Sequence, residues 1–256
     1  MITAGIDIGS ITTKAALMEG GRLLGTALTP TGYNPEQAAR KVLRDVLSPL
    51  GLDDQSVGRI VSTGYGRKSV AFAHKAITEI TCHGAGASFL NPAIRFIIDV
   101  GGQDSKAILL NGQGKVINFV MNDKCAAGTG RFLEVMARAM DVPLDRMGEL
   151  AEKSPKPARI SSLCTVFAES EVISLIAGGE GREDIIAGIH EAISQRIVAM
   201  ASRLGLASPI MMTGGVARNS GVVRALEKAL GEPIEISPHA QLTGAIGAAL
   251  LAGQGP

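Results

Sequence analysis

The chain has 256 residues, enough to bury a substantial core as one large domain or two small ones. A net charge of +1 with no Lys/Arg-rich run, and aromatics at only 3%, exclude broad polyanion binding and base stacking, so no nucleic-acid partner is expected. The start MITAGIDIGS lacks the pattern of a secretory signal, and no apolar run approaches the roughly 18 residues of a membrane helix, so a soluble, cytoplasmic protein without a membrane partner is expected.

In chain order, the first feature is one half of a repeat. Asp7 to Lys14 reads DIGSITTK, and Asp99 to Lys106 reads DVGGQDSK. Each follows an apolar run and precedes another (AALM, then AILL), which predicts strand, tight Gly turn and second strand. After the first copy come a helix over 35–47, a strand over 59–62 and the turn Gly64-Tyr-Gly66. After the second come a strand over 115–121 and helices at about 129–140 and 167–176. Ile185, Ile189, Ile193, Ile197, Met200 and Leu204 form an apolar stripe that predicts a helix over 182–204. A strand at 209–212 then meets Gly214-Gly215 and a new helix, and an Ala/Gly-rich helix at 241–252 suits close backbone packing. Two such halves predict two α/β lobes over a cleft. The first spans 1–92, with helix 241–252 packing back near it, and the second spans 93–240. Chance likeness of two strand-turn-strand units is the plainer alternative.

A phosphate chain needs donors without bulk, as Gly-rich turns supply. No GxxxxGK[ST] loop and no GxGxxG after a strand is present. The repeat offers Gly9, Ser10, Thr12, Thr13 and Lys14 in one turn, and Gly101, Gly102, Gln103, Ser105 and Lys106 in the other. Asp7 and Asp99 precede these turns, an arrangement that suits Mg²⁺ held through retained water. One of these carboxylates, or Gln103, is the candidate for orienting an attacking water. Taken alone, an Asp-Gly turn is more often just a hairpin turn. Gly214, Gly215, Val216 and Asn219 follow a short strand, where a base and ribose can lie flat; taken alone, a plain strand-to-helix turn with Asn219 as N-cap is the better reading. The order of these motifs resembles the actin, Hsp70 and sugar-kinase superfamily. That likeness implies an α/β fold of duplicated, ribonuclease H-like lobes around a nucleotide cleft.

Three scattered cysteines, Cys82, Cys125 and Cys164, are neither a disulfide framework nor a zinc ribbon. Cys125 and Cys164 each shortly precede a predicted helix, where the helix dipole favours a thiolate. A [4Fe–4S] cluster usually takes four thiolates, and two chains giving Cys125 and Cys164 supply them, which requires a symmetric dimer. Buried structural cysteine is the commoner fate of such residues.

NDKCAAGTGRFLE, SSLCTVFAESEVIS, STGYGR, IDVGGQDSK and GGVARN together resemble the activator (component A) ATPases of 2-hydroxyacyl-CoA dehydratases. That family also contains the ATP-binding subunits of benzoyl-CoA reductase. The resemblance implies ATP/ADP with Mg²⁺ and an oxygen-sensitive homodimer holding one [4Fe–4S] cluster through Cys125 and Cys164. It further implies an electron received from ferredoxin or flavodoxin and passed to an iron–sulfur acceptor, either a dehydratase or a double-cubane cluster protein. Gly128, Thr129 and Gly130 are where nucleotide state is expected to reach the cluster ligand. Leu163 and Arg218 depart slightly from the pattern; Cys82 and His83 are expected to be structural. A small-molecule kinase with buried cysteines and a nucleotide-switched interaction protein are the other readings.

Overall fold

The computed structural model describes residues 1–162 and 164–254; Leu163 therefore lies outside the described residues. In chain order the elements are β1 (Ile2–Ile8), β2 (Thr12–Glu19), β3 (Arg22–Pro30), α1 (Pro35–Leu47), β4 (Val57–Thr63), β5 (Lys75–Ala76) and α2 (Glu79–Leu90). They continue with β6 (Phe96–Val100), β7 (Ser105–Leu110), β8 (Val116–Asn122), α3 (Gly130–Ala139), α4 (Met147–Ala151) and α5 (Thr165–Ala177). The last are α6 (Arg182–Ala201), β9 (Ile210–Thr213), α7 (Ser220–Leu230), β10 (Ile234–Ile236) and α8 (Thr243–Ala252).

Two five-stranded sheets share one strand order. The first runs β3-β2-β1-β4-β5 and the second β8-β7-β6-β9-β10. In the first, β1 pairs antiparallel with β2 and parallel with β4. The α/β fold is thus duplicated at the level of sheet topology, beyond the two hairpins that the sequence repeat marks.

The chain divides into two compact units. One comprises Met1–Ile97, Leu110–Ile117 and the segment from Ser237 onward; the other comprises Ile98–Leu109 and Asn118–Ile236.

In the first unit, β2 alternates its side chains between two helices. Ala15 and Leu17 join Val42, Val46 and Leu47 of α1, while Ala16 and Met18 join Ala245, Ile246 and Ala249 of α8. Helix α1 starts where Asn34 Oδ1 accepts from the Gln37 amide and Pro35 takes the first turn. Helix α8 packs at backbone distance: a methyl group on Gly5 would overlap the Ala245 carbonyl, and one on Gly247 would overlap the Cys82 carbonyl. Only glycine permits that approach, which explains the LTGAIGAALLAG composition.

In the second unit, α6 carries the expected stripe of buried Ile185, Ile189, Ile193, Ile197 and Met200, but ends at Ala201. Ser202–Leu204 follow as a 3₁₀ turn. Ile186 and His190 are buried too, because both α4 and α7 pack on this helix.

Candidate functional site

The two hairpin turns have the same internal geometry. The Gly9 amide donates to the Thr12 carbonyl at 3.1 Å, and the Gly101 amide donates to the Asp104 carbonyl at 2.9 Å. Each pair begins two residues after the Asp and closes five after it. In both copies the Lys seven residues on turns back to that Asp. Lys14 Nζ lies 3.2 Å from Asp7 Oδ2, and Lys106 Nζ lies 3.0 Å from Asp99 Oδ2. In the first copy, β1–β2 register sets Asp7 directly opposite Lys14.

Around the first turn, Gly9, Ser10, Thr12 and Lys14 are half-buried. Thr13 is fully buried, with its hydroxyl 2.9 Å from that of Thr31, and Thr31 donates to the Gly9 carbonyl at 2.8 Å. Thr13 therefore braces the turn from behind rather than presenting a donor. Gly64 backs the Asp7 carboxylate so closely that a Cβ there would lie 2.5 Å from Oδ1, and its φ of +84° also favours glycine. The opening of α8 also adjoins this carboxylate: a Cβ on Gly244 would sit 3.2 Å from Asp7 Oδ2 and 3.0 Å from His83 Nε2.

The second turn is more deeply set. Asp99 is 3% exposed and Lys106 2%. Lys106 Nζ bridges Asp99 and Asp104, the latter at 2.7 Å, while the Thr213 hydroxyl donates to Asp99 Oδ1 at 2.8 Å. Two buried carboxylates are thus held by one ammonium, an arrangement that tolerates no loss of the cation. Gly101 and Gly102 are half-buried and Gln103 is exposed at the tip of the turn. Sequence spacing singled out both lysines as phosphate donors; the structure also gives them carboxylate partners, so they neutralise the aspartates as well.

Helix α3 starts on this second turn. The Gly130 amide donates to the Gly101 carbonyl and the Arg131 amide to the Gly102 carbonyl, each at 2.8 Å. The first amides of a helix have no partner within it, so two of them are met here by the backbone of the turn. Thr129, fully buried, donates from its hydroxyl to the Ala126 carbonyl at 2.7 Å, and Gly128 takes φ +85°. The loop from Cys125 to Gly130 therefore joins the half-buried Cys125 to the turn in five residues. Cys164, exposed, caps α5, which packs against α3.

Cys82 differs from both. It is fully buried, and burial pushes its thiol up to about 12, so it stays protonated at neutral pH. Among the described residues no three His, Cys, Asp or Glu side chains converge as a complete metal site. Cys125 and Cys164 offer two accessible thiols per chain, which fits half the ligand set of a cluster shared by two chains.

At the third glycine motif, Gly214 takes φ +88° against the Val100 carbonyl, and Gly215–Arg218 form a 3₁₀ turn in which Val216 is buried. Asn219 caps α7, its Oδ1 accepting from the Val222 amide at 3.1 Å. That contact orients the side chain, so Nδ2 faces His190 Nε2 at 3.3 Å. Burial holds His190 neutral, with its pKa lowered to about 4. Its role was not legible in sequence, where His190 is one of several polar positions in an amphipathic-looking helix.

Among the described residues no helix is long and apolar enough to cross a membrane. Residues 4–252 match the BadF/BadG/BcrA/BcrD ATPase family. The activator of lactoyl-CoA dehydratase from Anaerotignum propionicum is 47% identical over 252 residues, covering 98% of this chain and 97% of the relative. The solved activator of 2-hydroxyisocaproyl-CoA dehydratase from Clostridium difficile, with bound ADPNP, superposes with a TM-score of 0.93 at 43% identity, over 98% of this chain and 94% of that one. A ROK-family glucokinase from Streptomyces griseus, 14% identical with a TM-score of 0.62 over the full length of both chains, shares the fold alone, which is the duplicated actin and sugar-kinase architecture. The extent of the match leaves one assignment: the chain belongs to the BadF/BadG/BcrA/BcrD ATPase family.

Proposed function

We propose that this ATPase is a one-electron reductase that activates an iron–sulfur partner enzyme of the 2-hydroxyacyl-CoA dehydratase kind. The observation that carries the reading is the pair of hydrogen bonds from Gly130 and Arg131 to Gly101 and Gly102. They join a phosphate turn to the helix that follows Cys125, so a change at the γ-phosphate has a short rigid path to a thiol. Relatives at 47% and 43% identity that carry the name dehydratase activator support the same reading.

In this reading the backbone amides and hydroxyls of the Gly9–Thr12 and Gly101–Gln103 turns bind the phosphates. Asp7 and Asp99 hold Mg²⁺ through its water shell, while Lys14 and Lys106 limit the negative charge that two carboxylates bring near a triphosphate. Gly214, Gly215, Val216 and Asn219 support the adenosine. Gln103, exposed at its turn, orients the attacking water. Hydrolysis yields ADP and phosphate, and the Gly101–Gly130 contact shifts α3.

A [4Fe–4S] cluster, held by Cys125 and Cys164 of two chains, would supply one-electron chemistry, taking an electron from reduced ferredoxin or flavodoxin and yielding it to the acceptor. The exposed apolar side chains next to Cys164 support a dimer there: Val166 and Phe167 are 66% and 68% exposed, and Ile173 and Ile176 lie further along α5. The reductase of a double-cubane cluster protein and a benzoyl-CoA reductase subunit rest on the same chemistry with another acceptor.

The test is an anaerobic mixture of the reduced protein, ATP·Mg²⁺ and a purified dehydratase. Dehydration that starts only with hydrolysable ATP supports the reading. ATP hydrolysis with no activation of any such acceptor, or phosphate transfer to a small alcohol instead, contradicts it.

A further inference from the structure

Each of the two accessible cysteines lies in a loop that a side chain grips by its backbone. Asn122, the last residue of β8, accepts at Oδ1 from the Cys125 amide at 3.2 Å and donates from Nδ2 to the carbonyls of Cys125 at 2.8 Å and Ala127 at 2.9 Å. Glu171, in the second turn of α5, accepts from the Ser161 amide at 3.0 and 3.1 Å, from the Ser161 hydroxyl at 2.8 Å and from the Ser162 amide at 2.9 Å. The carboxylate thereby ties the approach to Cys164 onto the helix that Cys164 caps.

The chemistry of each grip is specific. One carboxamide, with an acceptor and a two-hydrogen donor, meets an amide and two carbonyls around Cys125. Around Ser161 and Ser162 only donors converge, and a carboxylate, which only accepts, meets them all. Burial pushes Glu171 up, but the amides and hydroxyls of Ser161 and Ser162 outweigh it and hold its pKa below the usual value, so it is ionised at neutral pH. Cys82, buried inside α2, sits in no such loop.

We infer that Asn122 and Glu171 are positioning residues that preset the Cys125 and Cys164 loops to deliver two thiolates from each chain to a shared cluster. This rests on the reading of those cysteines as cluster ligands. Neither residue touches the metal; each fixes the backbone from which a ligand projects, so the entropy of ordering the loop is spent in folding rather than in metal capture.

Two shape-conserving variants test it. Asn122→Asp keeps the acceptor for the Cys125 amide but loses both donors, and Glu171→Gln sets an amide group against amide donors. In the metal-free protein, loss of the two carbonyl anchors should let the loop open more often. Hydrogen exchange should then rise at the Cys125 and Thr129 amides, which are bonded to Asn122 Oδ1 and the Ala126 carbonyl, only in Asn122→Asp, and at the Ser161 and Ser162 amides only in Glu171→Gln. In anaerobically reconstituted protein, each variant should release iron to a chelator about 10-fold faster than wild type, with ADP affinity unchanged. Wild-type protein that holds no iron overturns the cluster reading, and the positioning role falls with it. Wild-type protein that holds iron while both variants release it at the wild-type rate overturns the positioning role alone. So does a loss of protection that spreads to both loops in either variant, because that is general destabilisation.

Discussion

The amide of Gly130 donates to the carbonyl of Gly101 over 2.8 Å, and this bond makes the second glycine turn part of the start of α3. A Cβ on Gly130 would come within 3.0 Å of that same oxygen and 3.4 Å of Gly102 Cα. A methyl group there would require the turn or the helix to give way by a few tenths of an ångström.

Gly130→Ala should displace the turn and weaken ADP·Mg²⁺ binding by about 1–3 kcal/mol, the usual cost of forcing a methyl into a packed site. Isothermal titration checks the affinity. Wild-type affinity in this variant would show that the contact is not transmitted to the phosphates.

The buried Asp99–Lys106–Asp104 group predicts a large asymmetry between two variants. Lys106→Met leaves two buried carboxylates without their ammonium and should cost about 3–5 kcal/mol. Thr213→Val removes one hydroxyl donor from Asp99 and should cost about 1–3 kcal/mol. Urea unfolding of both proteins at neutral pH measures the difference.

His190 makes stability fall in acid. Its ordinary pKa of 6.5 is lowered to about 4 in the fold because burial disfavours the imidazolium. The neutral ring's contribution is complete above pH 6.5 and is lost progressively as pH falls to about 4, where it reaches roughly 3 kcal/mol. His190→Gln should flatten that part of the pH profile of urea midpoints, although the variant starts from lower stability.

Helix α8 should tolerate no side chain at Gly247, where a methyl group meets the Cys82 carbonyl. Gly247→Ala is expected to cost at least about 3 kcal/mol, above the ordinary overpacking range because the obstacle is backbone. A thermal melt reads this directly, and a Gly253→Ala control, whose Cβ has ordinary contacts at 3.4 Å and beyond, should melt near wild type.

Much of this was legible in sequence because the informative residues are chemically restricted. The Asp-to-Lys spacing of seven announced both hairpins, and the pairing of Asp7 with Lys14 and of Asp99 with Lys106 gives that spacing its physical reason. The sequence was silent on β3, whose residues are mostly half-buried and lack clean alternation, and on α2, whose glycines at 84 and 86 lower helix propensity while tertiary packing sustains the helix. Asn122 and Glu171 carried no signal of their own. Their role depends on partners three to ten residues away, brought within hydrogen-bonding distance only by the loops. Thr13 was read as a phosphate donor from its place in the turn, but β-strand alternation points it inward to Thr31.

On the proposed function, Cys125 and Cys164, and not Cys82, would hold the group that carries the electron. The most direct measurement is iron and sulfide content with the visible spectrum after anaerobic reconstitution of wild type, Cys125→Ser, Cys164→Ser and Cys82→Ala. The account predicts a brown dimer with about four irons per two chains in wild type and Cys82→Ala, and its loss in the other two. A colourless wild-type protein that hydrolyses ATP at full rate, or a cluster that survives both serine variants, would contradict it.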